Sequence, residues 1–259
     1  MLRSIGDFFV YVASALSFGI RVVRVSLVPP YVPAPVVAEH VALLVRRCML
    51  PVTVVVFTVG AVMSLQAANL FKLVTAEPLL GGVTTLFTLR EIGPVLAGMM
   101  IAAQGGTSVA TEVGAMKIRQ EFDALELMAT DPIKYAIGPR FFAFVLSVPI
   151  LTLLGNLAGV IGAFLVAMVA THATPYSFLE SIYTYVSMTD IWSGLIKGLV
   201  FGTATACISC YNGYSVSGGA VEVGKAANRS VVYSMIALLA LNYAVTTILF
   251  GSGQALQRF

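Results

Sequence analysis

Charge is what this sequence has least of. Its 259 residues include 15 Lys+Arg and 12 Asp+Glu, 10% of the total, against 58% hydrophobic residues and a mean hydropathy of +0.93. Soluble domains carry about 25% charged residues. A globule this large could not cover its surface with so few, so bilayer replaces water as the main solvent. That excludes a soluble enzyme and a disordered chain. A net charge of +3 over this length leaves no basic footprint for a nucleic-acid binder.

Cysteine and histidine are also scarce. Cys48, Cys207 and Cys210 make no disulfide framework. Cys207-Ile-Ser-Cys210 has the spacing of a redox motif but lies in an apolar run, and is read as two small buried residues on one helix. His40 and His172 stand too far apart to share a metal, the HExxH motif is absent, and no nucleophile–base constellation stands out. No cofactor or metal is therefore expected in this chain. Asp7 interrupts the start and Arg21 and Arg24 close its apolar stretch without a small-residue cleavage site, so no cleavable leader is expected.

Long apolar runs are what the sequence has in abundance. A crossing helix needs about 20 mainly apolar residues, and five segments qualify: roughly 49–71, 92–113, 141–169, 191–211 and 231–250. Pro149 gives the third a reason to bend. Residues 4–27 mix apolar residues with Arg3, Asp7, Arg21 and Arg24, the composition of a helix lying in the interface; the alternative is a sixth crossing by residues 5–28. The prolines Pro29, Pro30, Pro33 and Pro35 break it, and a second short segment, 36–48, carries Glu39, His40, Arg46 and Arg47 into the first crossing. The expected organisation is all-α: interfacial or elbow helices over 1–48, then a five-span domain over 49–259.

Orientation follows from the basic residues. With the N-terminus in the cytoplasm, 11 of the 15 Lys and Arg fall on the cytoplasmic side: Arg3, Arg21, Arg24, Arg46, Arg47, Lys117, Arg119, Lys134, Arg140, Lys225 and Arg229. Lys72 and Arg258 fall outside with the C-terminus. No internal repeat is apparent, which removes one support for an inverted-repeat transporter. One five-span subunit offers few walls for a closed path, and a dimer would supply them.

The most informative stretch runs from Arg90 to Arg140. Arg90-Glu91-Ile92-Gly93-Pro94 puts adjacent opposite charges at an expected span entrance, either as an interfacial anchor or as the polar rim of a substrate cavity. Between the second and third crossings, apolar residues at 115, 118, 122, 125 and 129 step by three and four along one helical face, and Asp131-Pro132 stops the helix. Lys117/Glu121 and Arg119/Asp123 are i,i+4 neighbours. This amphipathic helix either rests on headgroups or is gripped by a soluble partner.

These residues, with Met128-Ala129-Thr130-Asp131-Pro132, Pro139-Arg140-Phe141-Phe142, Gly194-Leu195-Ile196-Lys197, Tyr211-Asn212-Gly213-Tyr214 and the Gly224–Tyr233 region, resemble the MlaE/YrbE permease family. Its members are the membrane subunits of ABC-type lipid transport systems that work with MCE-domain proteins. The resemblance covers most of the chain after residue 40. It implies an interfacial helix and five spans in a bacterial inner-membrane protein. It also implies a lipid cavity shared with a second permease subunit, identical or paralogous, and a cytoplasmic ABC ATPase dimer that binds ATP and Mg²⁺. The Arg-Glu pair then marks the cavity at Arg90 and Glu91, joined by Lys197; some relatives carry an acidic residue where Asn242 stands. The coupling helix, about 114–130, presents Met116, Lys117, Arg119, Glu121, Phe122, Asp123, Leu125, Glu126 and Met128 to the ATPase.

Lys197 can also be read without the family. A crossing that starts near Ile191 puts it about 9 Å deep. It then either snorkels outward or meets a lipid phosphate or carboxylate beside the small-residue face of Gly194, Gly198 and Gly202. Gly219–Ala226 nearly spells a P-loop, but Ala226 stands where Ser or Thr must hold Mg²⁺. ATP hydrolysis is thus expected in a separate chain, and this subunit is expected to be no enzyme. Two other classes fit less well: an ion-gradient secondary transporter, for which Glu91 and Glu112 lie near span ends rather than at the midplane, and a non-transporting membrane scaffold.

Overall fold

The computed structural model describes residues 2–27, 32–73, 76–170 and 174–251, and these contain helices and turns but no strand. Pro29, Pro30, His172 and Arg258 lie outside the described residues. We label the helices α1 (Leu2–Leu27), α2 (Ala34–Leu73), α3 (Leu80–Ile118), α4 (Glu121–Leu127), α5 (Ile133–Ala170), α6 (Pro175–Tyr185), α7 (Met188–Tyr214) and α8 (Ala220–Phe250). Five of them, α2, α3, α5, α7 and α8, are long and apolar enough to cross a membrane; α1 is not one of these. The protein is a multi-pass, all-helical membrane protein.

The spans are longer than the apolar runs suggested. Segment 36–48 is the first part of α2, with Pro51 inside the helix. The second span begins at Leu80, twelve residues before its expected start. Between the apolar runs 141–169 and 191–211 lies α6, whose Thr174 caps the first turn by accepting from the Ser177 N–H, 3.3 Å. The 114–130 segment is not one helix: Gln120 adopts φ 57°, the left-handed region, which ends α3 at Ile118 and starts α4 at Glu121. Residues 115 and 118 therefore lie on a different helix from 122 and 125. The expected i,i+4 pairs give way to Arg119–Glu121 at 2.7 Å, while Lys117 lies 5.9 Å and 5.4 Å over the rings of Phe122 and Tyr214. Asp131-Pro132 is not the stop either, since α4 ends at Leu127 and Ala129 turns left-handed at φ 56°.

Two compact units divide the chain: Met1–Arg47, Ile101–Ser147 and Phe201–Leu238 form the first, and Cys48–Met100, Val148–Val200 and Leu239–Phe259 the second. In the first, α1 turns Ala15, Phe18 and Val22 inward, a helical stripe, and leaves Leu16 and Ile20 exposed. Phe18 packs on Tyr211 and Tyr214, and Tyr11 on Tyr211 and Tyr233; Asn212 Nδ2 donates to Tyr11 Oη at 2.7 Å. Cys207 and Cys210 are buried on α7, Cys207 against Gly19.

In the second unit, glycine sets the spacing of α2 and α5. A Cβ on Gly60 would lie 2.3 Å from the Gly159 carbonyl oxygen, and one on Gly162 would lie 2.4 Å from that of Phe57. Backbone meets backbone there, so no rotamer change can relieve a clash. Gly60→Ala is expected to destabilise the protein by about 1–3 kcal/mol, read as a lower melting temperature in detergent. Gly224→Ala, in the helix with nothing within 4 Å, is expected to raise it, since Ala is the better helix former by about 1 kcal/mol.

Candidate functional site

The polar centre of the second unit begins with a proline. Pro94 has no N–H, so the Arg90 carbonyl four residues earlier lacks its helical donor. The backbone answers with one π-helical turn over Thr88–Ile92, in which the Gly93 N–H bonds back to the Thr88 carbonyl. Gly93 must also be glycine for packing: a Cβ would fall 1.7 Å from Asn156 Oδ1 of α5. The turn exposes the Arg90 carbonyl and presents Arg90 and Glu91 as neighbours.

Lys197 of α7 fills the gap. Its side chain is 0% exposed, and its three N–H donors are all used: to the Arg90 carbonyl at 2.7 Å, to Glu91 Oε1 at 2.8 Å and to Thr246 Oγ1 at 2.7 Å. Thr246 donates in turn to Glu91 Oε1 at 3.0 Å, and Asn242 Nδ2 donates to Glu91 Oε2 at 3.0 Å. Of the two readings of Lys197, snorkelling fails and the carboxylate partner holds. A second pair lies beside the first. Arg90 Nε and Nη2 approach Asp190 Oδ1 at 2.7 and 2.6 Å, the Arg90 guanidinium lies 4.4 Å over the Phe250 ring, and Asp190 Oδ2 accepts from the Ser187 N–H and hydroxyl at 2.8 and 3.0 Å.

The two pairs are disposed alike. Each hides one member, Lys197 and Asp190, and leaves the other, Glu91 and Arg90, 30% exposed. Both exposed members line one cleft of about 290 Å³ with Thr246 and the apolar side chains of Val83, Leu86, Phe87 and Phe250. The cleft thus presents one cation and one anion on an apolar wall.

Residues 37–248 of this chain match the family described as Permease MlaE. The chain belongs to the MlaE permease family. It is 40% identical to a probable ABC transporter permease protein of Rickettsia typhi over 199 residues, 77% of each chain, and 36% identical to one of Rickettsia felis over 255 residues, 96% of this chain and 93% of that one. It is 32% identical over 227 residues, 85% of this chain and 87% of the relative, to the intermembrane phospholipid transport system permease protein MlaE of Haemophilus influenzae. Membership makes it a transport subunit of the inner membrane.

All four residues named for the cavity of this MlaE-family permease, Arg90, Glu91, Lys197 and Asn242, come together in one cluster. Asp190, Thr246 and Phe250 belong to the same cluster and were not found by sequence reasoning. Asp190 is a single acid just before an apolar run, and Thr246 and Phe250 carry no motif. The residues named on the coupling segment separate in the first unit. Phe122 is buried against Tyr214, as an anchor rather than a docking contact, and Leu125 is half-buried. Asp123, Glu126 and Met128 are exposed, as is Leu127 at 90%, which sequence reasoning passed over. Met116, Arg119 and Glu121 border a shallow groove with Thr111, Glu112, Ala115 and Arg140.

Breaking a buried ion pair by removing one partner costs about 3–5 kcal/mol because the other charge is stranded. Glu91 is partly open to the cleft, so Lys197→Met is expected at or below the low end of that range. The double variant Glu91→Gln/Lys197→Met is expected to recover part of the loss, a non-additivity of at least about 1 kcal/mol in detergent denaturation. Additive losses would mean the pair does not couple.

Proposed function

We propose that the protein is the permease subunit of an ABC-type lipid transporter and that its cargo is a phospholipid held by the Arg90–Glu91 cleft. The observation that carries the reading is the disposition of charge in that cleft: an accessible guanidinium for a phosphate, an accessible carboxylate for a headgroup amine, and an apolar wall for the chains. The Haemophilus relative's name, which speaks of phospholipid transport, supports the same class. A fatty acid offers nothing to Glu91, and a sterol offers neither charge.

In this reading α8 completes the cavity with a second permease subunit, identical or paralogous. The most apolar window of that helix is only 11% buried within the single chain, against 28–56% for the other spans. A cytoplasmic ABC ATPase dimer binds ATP and Mg²⁺ and acts through the end of α3 and α4, and an MCE-domain protein exchanges lipid with the cavity. The basic residues put the N-terminus and α4 in the cytoplasm and the C-terminus outside. Nucleotide binding moves the cavity only if the ATPase holds its two states differently. The exposed acids Asp123 and Glu126 and the apolar tip Leu127–Met128 are the side chains free to be gripped.

One observation favours a second reading. Because α3 starts at Leu80, Glu91 lies about 16 Å along the helix from its start rather than near a span end. An intramembrane carboxylate paired with a lysine is also what a proton-driven transporter uses. The two readings separate in proteoliposomes holding the permease with its ATPase. Transfer of phosphatidylethanolamine is expected to require ATP hydrolysis and to fall at least about tenfold in Glu91→Gln, the loss of one charge-assisted hydrogen bond. Transfer that persists without ATP and collapses with the proton gradient would move the second reading to first place. Asp123→Lys/Glu126→Lys is expected to leave ATP hydrolysis by the partner intact while transfer falls. Wild-type transfer in that variant would remove α4 from the coupling role.

A further inference from the structure

The tripeptide Ile-Gly-Pro occurs twice, at 92–94 and at 137–139. Its second copy also ends a π-helical turn, Ile133–Ile137, in which the Gly138 N–H bonds back to the Ile133 carbonyl. Gly138 is again a close approach, with Ser26 Oγ 2.9 Å from where a Cβ would stand. Just after it, Arg140 folds back so that Nη1 donates to the Ala136 carbonyl at 2.6 Å. The first copy builds the Glu91 site. The second builds another polar site, wholly within the first unit and sharing no residue with the first.

At this second site a cavity of about 120 Å³ is lined by His40, Arg47, Ser108, Glu112 and Arg140, with Leu43, Leu44, Val109 and Ala143 as its apolar wall. Glu112 is engaged on both oxygens: Ser108 Oγ donates to Oε1 at 2.9 Å and Arg140 Nε to Oε2 at 3.3 Å, while Arg47 donates to Ser108. Two guanidiniums and an imidazole therefore face one carboxylate, and the cavity keeps a net positive charge. Arg47 stands just before the apolar run 49–71, Glu112 at the end of 92–113 and Arg140 just before 141–169, so all three lie where hydrocarbon gives way to headgroups. Leu43, on the same helix as Arg47 and in the wall of the cavity, is 57% exposed and offers a surface for an acyl chain.

We infer that this cavity binds the phosphate of an anionic membrane phospholipid, a resident lipid distinct from the cargo. Basic pockets between spans take lipid headgroups in this way, and the volume admits a headgroup but not a whole lipid. The bound phosphate bridges Arg47 of α2 to Arg140 of α5 over the Glu112 carboxylate of α3. It joins α2 and α5, whose two guanidiniums share a single carboxylate, Glu112 of α3.

The test uses the full-length protein in nanodiscs of mixed phosphatidylglycerol and phosphatidylcholine, with retained lipids counted by native mass spectrometry after release into detergent. The wild type is expected to retain phosphatidylglycerol over phosphatidylcholine. Arg47→Gln, at an exposed side chain whose loss does not unfold the helix, is expected to reduce that preference by about fivefold. His40→Gln/Arg47→Gln is expected to abolish it. Arg46→Gln, one residue away and outside the cavity, is expected to leave it unchanged. Excess inorganic phosphate is expected not to displace the lipid. Equal retention of the two lipids by the wild type would overturn the inference, as would equal effects of Arg46→Gln and Arg47→Gln. Displacement by inorganic phosphate would assign the cavity to a free anion instead. A Glu91→Gln background keeps the Arg47-dependent preference if this site is separate from the cargo cleft and loses it if the two are one.

Discussion

One enclosed ammonium group sets the terms for the second unit. Lys197 has no contact with solvent, and a lone charge so placed in hydrocarbon costs several kcal/mol or more. It is tolerated because each of its three protons has an acceptor, and those acceptors come from two other helices: a carbonyl and a carboxylate of α3 and a hydroxyl of α8. Losing any one leaves a donor stranded. The position of α3 against α7 and α8 is therefore fixed by hydrogen-bond count as much as by packing.

The carbonyl among those acceptors traces back to covalent structure. Pro94 removes the donor that an α-helix would supply to Arg90, and the π-helical turn absorbs the mismatch. Gly93 then lets Asn156 come within what would otherwise be bonding distance of its side chain. The arrangement costs helical regularity and gains a free acceptor inside the membrane. A π-helical turn recurs before Gly138-Pro139, again with a basic side chain on a nearby carbonyl.

Hydropathy made the five crossings legible, because hydrocarbon demands long apolar runs whatever the fold around them. It gave their ends poorly. Residues 80–91 include Thr84, Thr85, Thr88, Arg90 and Glu91, which read as loop or interface, yet the threonines at 84 and 88 return their hydroxyls to carbonyls one turn back and so conceal their polarity. Lys197 could be found because charge inside an apolar run is conspicuous, and Arg90 and Glu91 because adjacent opposite charges at a span entrance are. Asp190 and Thr246 could not, since an acid before a span and a threonine within one are common and only the fold gives them partners. The break at Gln120 was invisible for a related reason: side-chain periodicity survives a single left-handed residue, although the helix does not.

The helix that carries Asn242 and Thr246 is held differently from the rest. α2 and α5 meet backbone to backbone through Gly60, Gly159 and Gly162, contacts that cannot slide without opening a void. α8 has the least buried apolar window of the five spans, and in the second unit its described polar bonds to other helices are those to Glu91 and Lys197 together with the Arg90–Phe250 contact. Every one of these goes to a charged group that also borders the cleft or pairs with one that does. A phosphate that takes the Arg90 guanidinium, or an amine that takes Glu91, competes for the same groups that hold the end of α8. In the proposed function, cargo binding and the attachment of α8 draw on one set of charges, so the element least fixed by packing is the one whose anchorage a headgroup would weaken.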